Sequence, residues 1–379
     1  MIEAFFLSIP AMIVLTGALV GIAASLPGTF LVLRGNAMLT DAISHSIVLG
    51  IVLVWMATGA VAGPWQILGA VLAGLATVAL TEALAATRLL RHDAATGLVF
   101  PALFAAGVLL INLNARNLHL DVHAVLLGEI GFVWLDTLTL AGIEVPRSVV
   151  WLTVIAVLNG AVVLALFKEL KLATFDPGLA AALGLRPRLM ANLVLALTSA
   201  TAVAAFDAVG AVLFVAFAIV PPATALLLTD RLGVMVWLAM GLAVAAAMLG
   251  YPLAVAGDVS IGGVMALVAG AFFAAAFLAA PRHGVVARAL RQRRERVEHD
   301  ARTLAAHLAS HAGTPEEAEE NTAEGLADHL HWAAPRIRRV ILHALDRGLI
   351  RREGALLTLT PKGEAVAAAA VGVRDRVEG

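Results

Sequence analysis

A carboxylate and an imidazole stand four residues apart in the stretch Leu33-Arg34-Gly35-Asn36-Ala37-Met38-Leu39-Thr40-Asp41-Ala42-Ile43-Ser44-His45-Ser46. The apolar run around them continues to Met56. On a helix, positions i and i+4 share a face, so Asp41 and His45 are neighbours there. Ser44, three residues after Asp41, falls on the same stripe. An ionisable residue inside a membrane helix costs roughly 2.5–3.5 kcal/mol on insertion scales and usually faces a partner, a cavity or a path. Two chemistries fit the pair. Asp and His offer oxygen and nitrogen donors to a divalent transition ion. The same two residues could equally form a hydrogen-bonded pair that glues two helices together. Spacing leaves both readings open.

The elements that must position this pair are membrane-spanning. The chain has 379 residues, 61% of them hydrophobic and 14% charged, with a mean hydropathy of +0.92. An ordinary soluble domain is excluded. There is no cysteine, which removes both disulfides and thiolate metal ligands. Apolar runs long enough to cross roughly 30 Å of hydrocarbon recur. They fall at about 9–33, 38–58, 65–87, 94–113, 149–167, 190–206, 208–228, 232–253 and 259–280, and 190–228 reads as one broken span or two short ones. The first run carries no basic leader and no small-residue cleavage site, so it is expected to be a retained helix and not a signal peptide. The runs are continuous and not alternating, which favours helices over a barrel.

Basic residues orient the set. Arg88 and Arg91, then Lys168, Lys171, Arg186 and Arg188, then Arg282, Arg288, Arg291, Arg293 and Arg294 form three groups between or after spans. Placing all three in the cytoplasm gives nine spans, with the N-terminus outside and the C-terminus inside. The outer loop 114–148 is then acidic on balance. It holds His119, Asp121 and His123, which are either an ion-receiving cluster or solvated loop residues.

The composition changes at Pro281. Residues 285–379 carry 15 Arg and Lys against 14 Asp and Glu and contain no run long enough to span. A charged helix over Val285 to Ala309 is expected, then an acidic helix start at Glu316–Glu320. Helices over Thr322–Trp332 and Pro335–Arg347 follow, the second with Pro in its first turn and Gly348 as its cap. Leu349–Thr360 reads as a hairpin turning at Glu353-Gly354. Pro361 opens a last helix. Helix, helix, hairpin is a winged-helix order. The expected architecture is therefore an all-α polytopic membrane unit over 1–284, with eight or nine transmembrane helices, and a small cytoplasmic α+β winged-helix domain over 285–379.

One connector differs from the rest. In Leu172-Ala173-Thr174-Phe175-Asp176-Pro177-Gly178-Leu179-Ala180-Ala181-Ala182-Leu183-Gly184-Leu185, Asp176 can cap a short helix, Pro177 can fill its first position and Gly184 can end it. Such a helix suits docking into a partner's groove, or it is a plain connector.

Several of these pieces together resemble the membrane subunits of the zinc/manganese/iron ABC permeases. The matching segments are Gly28-Thr29-Phe30-Leu31-Val32-Leu33-Arg34, Asp41-Ala42-Ile43-Ser44-His45, and Phe175-Asp176-Pro177 with Ala180 and Gly184. Val209-Gly210-Ala211-Val212-Leu213 continues the match, as does Val220-Pro221-Pro222-Ala223-Thr224-Ala225. They cover residues 1–281 in the right order. Thr40 stands where the family carries Gly before the Asp, a mild departure because Thr can bond back within a helix. The resemblance implies a permease subunit of an ATP-driven importer in the bacterial inner membrane, acting as a homodimer or with a close paralogue. It implies that Asp41 and His45 of each protomer line a metal-transit site at the twofold axis. It implies that Phe175, Asp176, Ala180 and Gly184 form the coupling helix that docks on a cytoplasmic ABC ATPase dimer, and that an extracytoplasmic solute-binding protein delivers the ion. The chain has no Gly-rich phosphate loop of its own, so it is expected not to be an enzyme and to hold no resident cofactor.

The tail is similar to the winged-helix part of iron- and manganese-dependent repressors, through Asn321–Ala327, Ile337–Leu345, Gly348-Leu349-Ile350 and Leu357–Gly363. Arg336, Arg338 and Arg339 would start its recognition helix. A net charge of about +1 on this domain speaks against nucleic acid as a partner. His307 and His311, spaced i, i+4, are candidate regulatory metal ligands or surface histidines of an amphipathic helix. Asp207, at a bend between two apolar runs, is a second polar point on the path or a helix cap. The expected cargo is Mn(II), from the oxygen–imidazole donor set, the absence of thiols and the repressor-like tail, with Zn(II) or Fe(II) as alternatives. The competing functions are a membrane-tethered metal-responsive regulator and a permease for a metal chelate.

Overall fold

The computed structural model describes residues 8–59, 64–114, 130–140 and 143–374. The described chain divides into two compact units, 1–284 and 285–379.

The first unit is helical. Its elements are α1 (Ile9–Leu33), α2 (Ala37–Thr58), α3 (Pro64–Ala86), α4 (His92–Asn114), a 3-10 turn (Ile130–Leu135) and a small hairpin of β1 (Thr137–Leu140) and β2 (Ile143–Pro146). Then come α5 (Arg147–Ala165), α6 (Phe167–Phe175), α7 (Pro177–Ala182), α8 (Pro187–Leu228), α9 (Leu232–Gly257) and α10 (Ile261–Ala279). Nine helical segments among the described residues are long and apolar enough to cross a membrane. In lipid every backbone polar group must be satisfied inside the segment, and a helix does that. Residues 190–228 are one element with a break. Gly210 inside α8 has φ 73° and ψ 172°, a non-helical conformation that glycine adopts at little cost, so two helical segments meet there across a kink.

Two helix groups form. α2, α3 and α4 pack on one another, α1 packs on α5 and α9, and α8 packs against both groups. The core runs along α1 and α8 through Val20, Phe30, Phe214 and Phe217. The two backbones touch at Gly28, where a Cβ would strike the carbonyl of Ala218. Small residues at such crossings let membrane helices approach closely. Buried hydroxyls bond back to their own helices, as at Ser25 to Gly21 (2.6 Å) and Thr29 to Ser25 (2.8 Å). Asn159 of α5 donates to the carbonyl of Ala23 (2.9 Å) and to the Thr201 hydroxyl (2.8 Å), tying α5 to α1 and α8. Large apolar side chains such as Leu53, Leu72, Trp237 and Leu267 stay exposed. That is the pattern of a surface whose solvent is lipid.

The outer-loop expectation is met only in part. Residues 130–146 are not plain loop but a 3-10 turn and a paired hairpin, with Leu138 opposite Val145. His119, Asp121 and His123 lie outside the described residues.

The second unit is mainly helical: α11 (Val285–His311), α12 (Glu317–Glu320), α13 (Ala323–Leu330), α14 (Ala334–Asp346), β3 (Ile350–Glu353), β4 (Leu356–Leu359) and α15 (Pro361–Arg374). Its sheet content is the expected hairpin, one pair of strands among the described residues of this unit, with a single bridge from Thr322 to Leu356. The hairpin loop is Gly354-Ala355, one residue later than expected, because Glu353 already pairs with Leu356. Leu304, Leu308, Leu326, Val340, Ala344 and Leu357 make a separate core.

Candidate metal path and coupling helix

α2 begins at Ala37, so Asp41 and His45 lie in its second and third turns. His45 Nε2 is 3.5 Å from Asp41 Oδ1. That is ion-pair distance, longer than a good hydrogen bond. Both side chains are open, at 49% for Asp41 and 28% for His45. The imidazole is held by aromatic contact instead. It stacks on Phe100 at 5.8 Å between ring centroids and meets the edge of Phe104 at 5.5 Å, both on α4. This geometry fixes the ring plane and leaves its nitrogens free to turn toward a ligand.

Ser44 does not join them on the open face. It is 2% exposed, and its hydroxyl donates to the carbonyl of Asp41 at 2.7 Å. The 100° step per residue that brings i+4 close to i carries i+3 to the other flank, where α2 packs on its neighbours. Thr40 also departs from expectation. Its hydroxyl is buried and does not bond back within the helix, unlike Ser46, which donates to Ala42 at 2.7 Å. The backbone at Asp207 is helical, three residues before the Gly210 break, and its side chain lies outside the described residues. One or two donors per chain make an incomplete shell for a transition ion, so full coordination at this pair needs groups from elsewhere.

The connector between α5 and α8 is more structured than a loop. α6 ends at Phe175, and Asp176 then caps α7: its Oδ1 accepts from the Leu179 N–H at 2.8 Å. Pro177 occupies the first position, where no donor is missed. At the far end the Leu185 N–H reaches the Ala180 carbonyl and the Gly184 N–H the Ala181 carbonyl, both at 3.0 Å. This is a Schellman closure, which places Gly184 at φ 81°. Ala180 is fully buried, while Phe175, Leu179 and Leu183 are exposed. A short helix capped at both ends, seated on Ala180 and presenting three large apolar side chains, is a rigid presentation of an apolar face. The α6 end is tied to the α1–α2 turn by Arg34, whose Nε donates to the Thr174 hydroxyl at 3.2 Å.

In the second unit, Arg336 is committed. Its guanidinium grips Asp300 with two hydrogen bonds, of 2.9 and 2.6 Å, and lies 4.5 Å from the centroid of the Trp332 ring. The carboxylate holds the guanidinium above its usual range. An arginine bound in this way is not free to read a base edge. His307 and His311 stand together at the end of α11, with ring centroids 4.7 Å apart.

Comparison with known proteins adds four findings. Residues 8–280 match the model of the ABC 3 transport family. The chain is 46% identical over 363 residues to the zinc transport system membrane protein TroD of Treponema pallidum, covering 95% of this chain and 98% of that protein. It is 44% identical over 286 residues to the manganese transport system membrane protein MntD of Bacillus subtilis, covering 75% of this chain and 97% of that protein. The first match cannot be supplied by 284 residues alone, so it extends into the second unit. The second is nearly complete over a length close to that of the first unit. Among solved structures, PsaBC from Streptococcus pneumoniae in complex with Fab superposes with a TM-score of 0.61 at 26% identity, covering 72% of this chain and 92% of that one.

Proposed function

The chain belongs to the ABC 3 transport family, and from that premise we propose that it is the permease subunit of an ATP-driven importer for divalent transition-metal ions. It is a multi-pass membrane protein and not an enzyme; ATP hydrolysis belongs to a separate ATPase. Mn(II) heads the cargo candidates, with Zn(II) and Fe(II) beside it. Relatives named for zinc and for manganese transport support that group, and an Asp–His donor pair serves all three.

The observation that carries the reading is the Asp41/His45 pair, partly open on a membrane helix with its two groups 3.5 Å apart. Two donors from one chain are completed by two from a second copy or a close paralogue across a twofold axis, giving a four-donor transit site. A transit site has to bind loosely enough to release, and a shell assembled between chains does this. α7, with Phe175, Asp176, Ala180 and Gly184, is the coupling helix. Its exposed apolar residues fit a groove on a cytoplasmic ATPase dimer. An extracytoplasmic solute-binding protein presents the ion on the other side. The basic groups around α7 and after α10 support a place for α7 and the second unit on the cytoplasmic side of a bacterial inner membrane.

The second unit, with its helix, helix, hairpin order and the Thr322–Leu356 bridge, is a winged-helix-like regulatory domain. A relative nearly complete without it supports a role in tuning transport over a role in carrying it. The Arg336–Asp300 clasp disfavours the alternative of a tethered transcription regulator.

Metal-resolved uptake tests the proposal. Cells or proteoliposomes carrying the complex should take up one of the three ions in an ATP-dependent way, and Asp41→Asn should stop it. Uptake of a metal chelate but of no free ion would overturn the reading.

A further inference from the structure

Three helices of the second unit deliver three imidazoles and a carboxylate to one spot. His307 and His311 come from the last two turns of α11. His329 comes from the last turn of α13, with its ring centroid 5.8 Å from that of His307 and 6.1 Å from that of His311. Glu320, the last residue of α12, reaches between them. Its Oε2 is 2.6 Å from His311 Nδ1, and its Oε1 is 3.4 Å from His329 Nε2. One ligand atom each from His307, His311 and Glu320 lie within 4.8 Å of one another, the one such grouping of three among the described residues. An ion with bonds of about 2.0–2.2 Å spans that distance after small side-chain rotations.

The polar atoms at this spot are under-used. His307 Nε2 is buried with no hydrogen-bond partner, and Glu320 Oε2 approaches His311 without the geometry of a hydrogen bond. Buried donors and acceptors are normally satisfied, and exceptions call for an explanation such as an ion. The site further lies at the C-terminal end of the 27-residue α11, where aligned peptide dipoles favour positive charge.

We propose that His307, His311, Glu320 and His329 bind one divalent transition-metal ion of the Zn(II) or Co(II) type, at a site separate from the Asp41/His45 pair. Three nitrogen donors and one oxygen suit four-coordinate Zn(II). Mn(II), which prefers more oxygen ligands, binds it more weakly. The site is built wholly from the second unit and does not rest on the transport reading. It also has a route to the rest of that unit. Asn321, the residue after Glu320, is buried; its carbonyl accepts from the Leu357 N–H of β4 at 2.9 Å, and its side-chain amide lies 3.4 Å from the Leu308 carbonyl of α11. An ion on Glu320 therefore pins the hairpin to α11.

The test uses the full-length protein, purified in lipid nanodiscs, stripped with a chelator and titrated with Zn(II), with Co(II) as the optical probe. The wild type is expected to bind one equivalent per chain more than His307→Ala/His311→Ala and to show tetrahedral Co(II) absorption that this variant lacks. Asp41→Asn should keep that equivalent, which separates this result from any failure at the membrane pair. Equal stoichiometry and equal Co(II) spectra in wild type and double variant would overturn the proposal and leave a metal-free ion-pair cluster. Should the double variant misfold, hydrogen exchange on the wild type decides. Zn(II) should slow exchange across 307–329, and unchanged exchange there also overturns the site.

Discussion

Two histidine–carboxylate groups in this chain share the i, i+4 spacing at their root and differ in everything built on it. In α2, Asp41 and His45 are 49% and 28% exposed, and two aromatic rings of α4 lie against His45. In the second unit, His307 and His311 are met by Glu320 and His329 from two further helices, and Glu320 is only 13% exposed. On the proposed function, the first group is half a site that another chain completes. The second is closed within one chain. A site that passes ions on is served by few donors and an open face, and one that retains an ion is served by a full shell held by several elements. The same local spacing can therefore serve opposite purposes, and the surrounding helices decide which.

The sharpest way to break this comparison is at the open pair. Asp41→Asn or His45→Ala is expected to lower uptake by at least about 100-fold, the upper end of what even an outer-shell loss costs a metal site. The yield and melting temperature of the purified protein should not change. Normal uptake by both variants would reduce the pair to helix packing.

The next effect in size is at α7. Asp176→Lys removes the cap and reverses its charge, and Gly184→Val forces a branched residue to φ 81°. Either should separate the ATPase from the membrane subunit and suppress transport-linked ATP hydrolysis several-fold, while metal binding in the second unit persists. Intact co-purification together with intact coupled hydrolysis would remove α7 from the mechanism.

A third variant touches neither group. Gly28→Ala puts a methyl against the Ala218 carbonyl, and overpacking of this kind costs about 1–3 kcal/mol. Thermal unfolding in detergent should fall, with both metal stoichiometries unchanged. An unchanged melting curve would show that α1 and α8 can part without cost.

The smallest effect on transport is expected from truncation after residue 284. Uptake should continue, the metal equivalent of the second unit should vanish, and the response of uptake to metal in the cytoplasm should be lost. Complete loss of uptake in a truncated protein that still assembles would make the second unit part of the pathway itself.

Much of the fold was legible because lipid imposes a simple rule. Runs of about 20 apolar residues must be helices, and all nine expected spans correspond to helices. The change of composition after Pro281 marked the second unit, and Pro361 and Gly348 marked helix ends there. The β1–β2 hairpin was missed, although Thr137-Leu138-Thr139-Leu140 alternates in the strand manner, because four residues are too few to outweigh a loop reading. α6 was missed because Lys168 and Lys171 looked like a connector. Ser44 was placed with Asp41 and His45 by spacing, and the packing of α2 turned it inward.

What the sequence determined by itself is what depends on near neighbours in the chain: helix periods, caps such as Asp176 and Gly184, the pairing of Asp41 with His45 and of His307 with His311. What only the tertiary structure decided is which residues far apart in the chain meet. Glu320 lies nine residues beyond His311, and His329 nine beyond Glu320, intervals that match no helical repeat. They converge because the ends of three helices fold together at the core of the second unit. Local propensity cannot report that, since burying the apolar face of α13 against Leu304 and Leu308 is what brings its histidine round to α11.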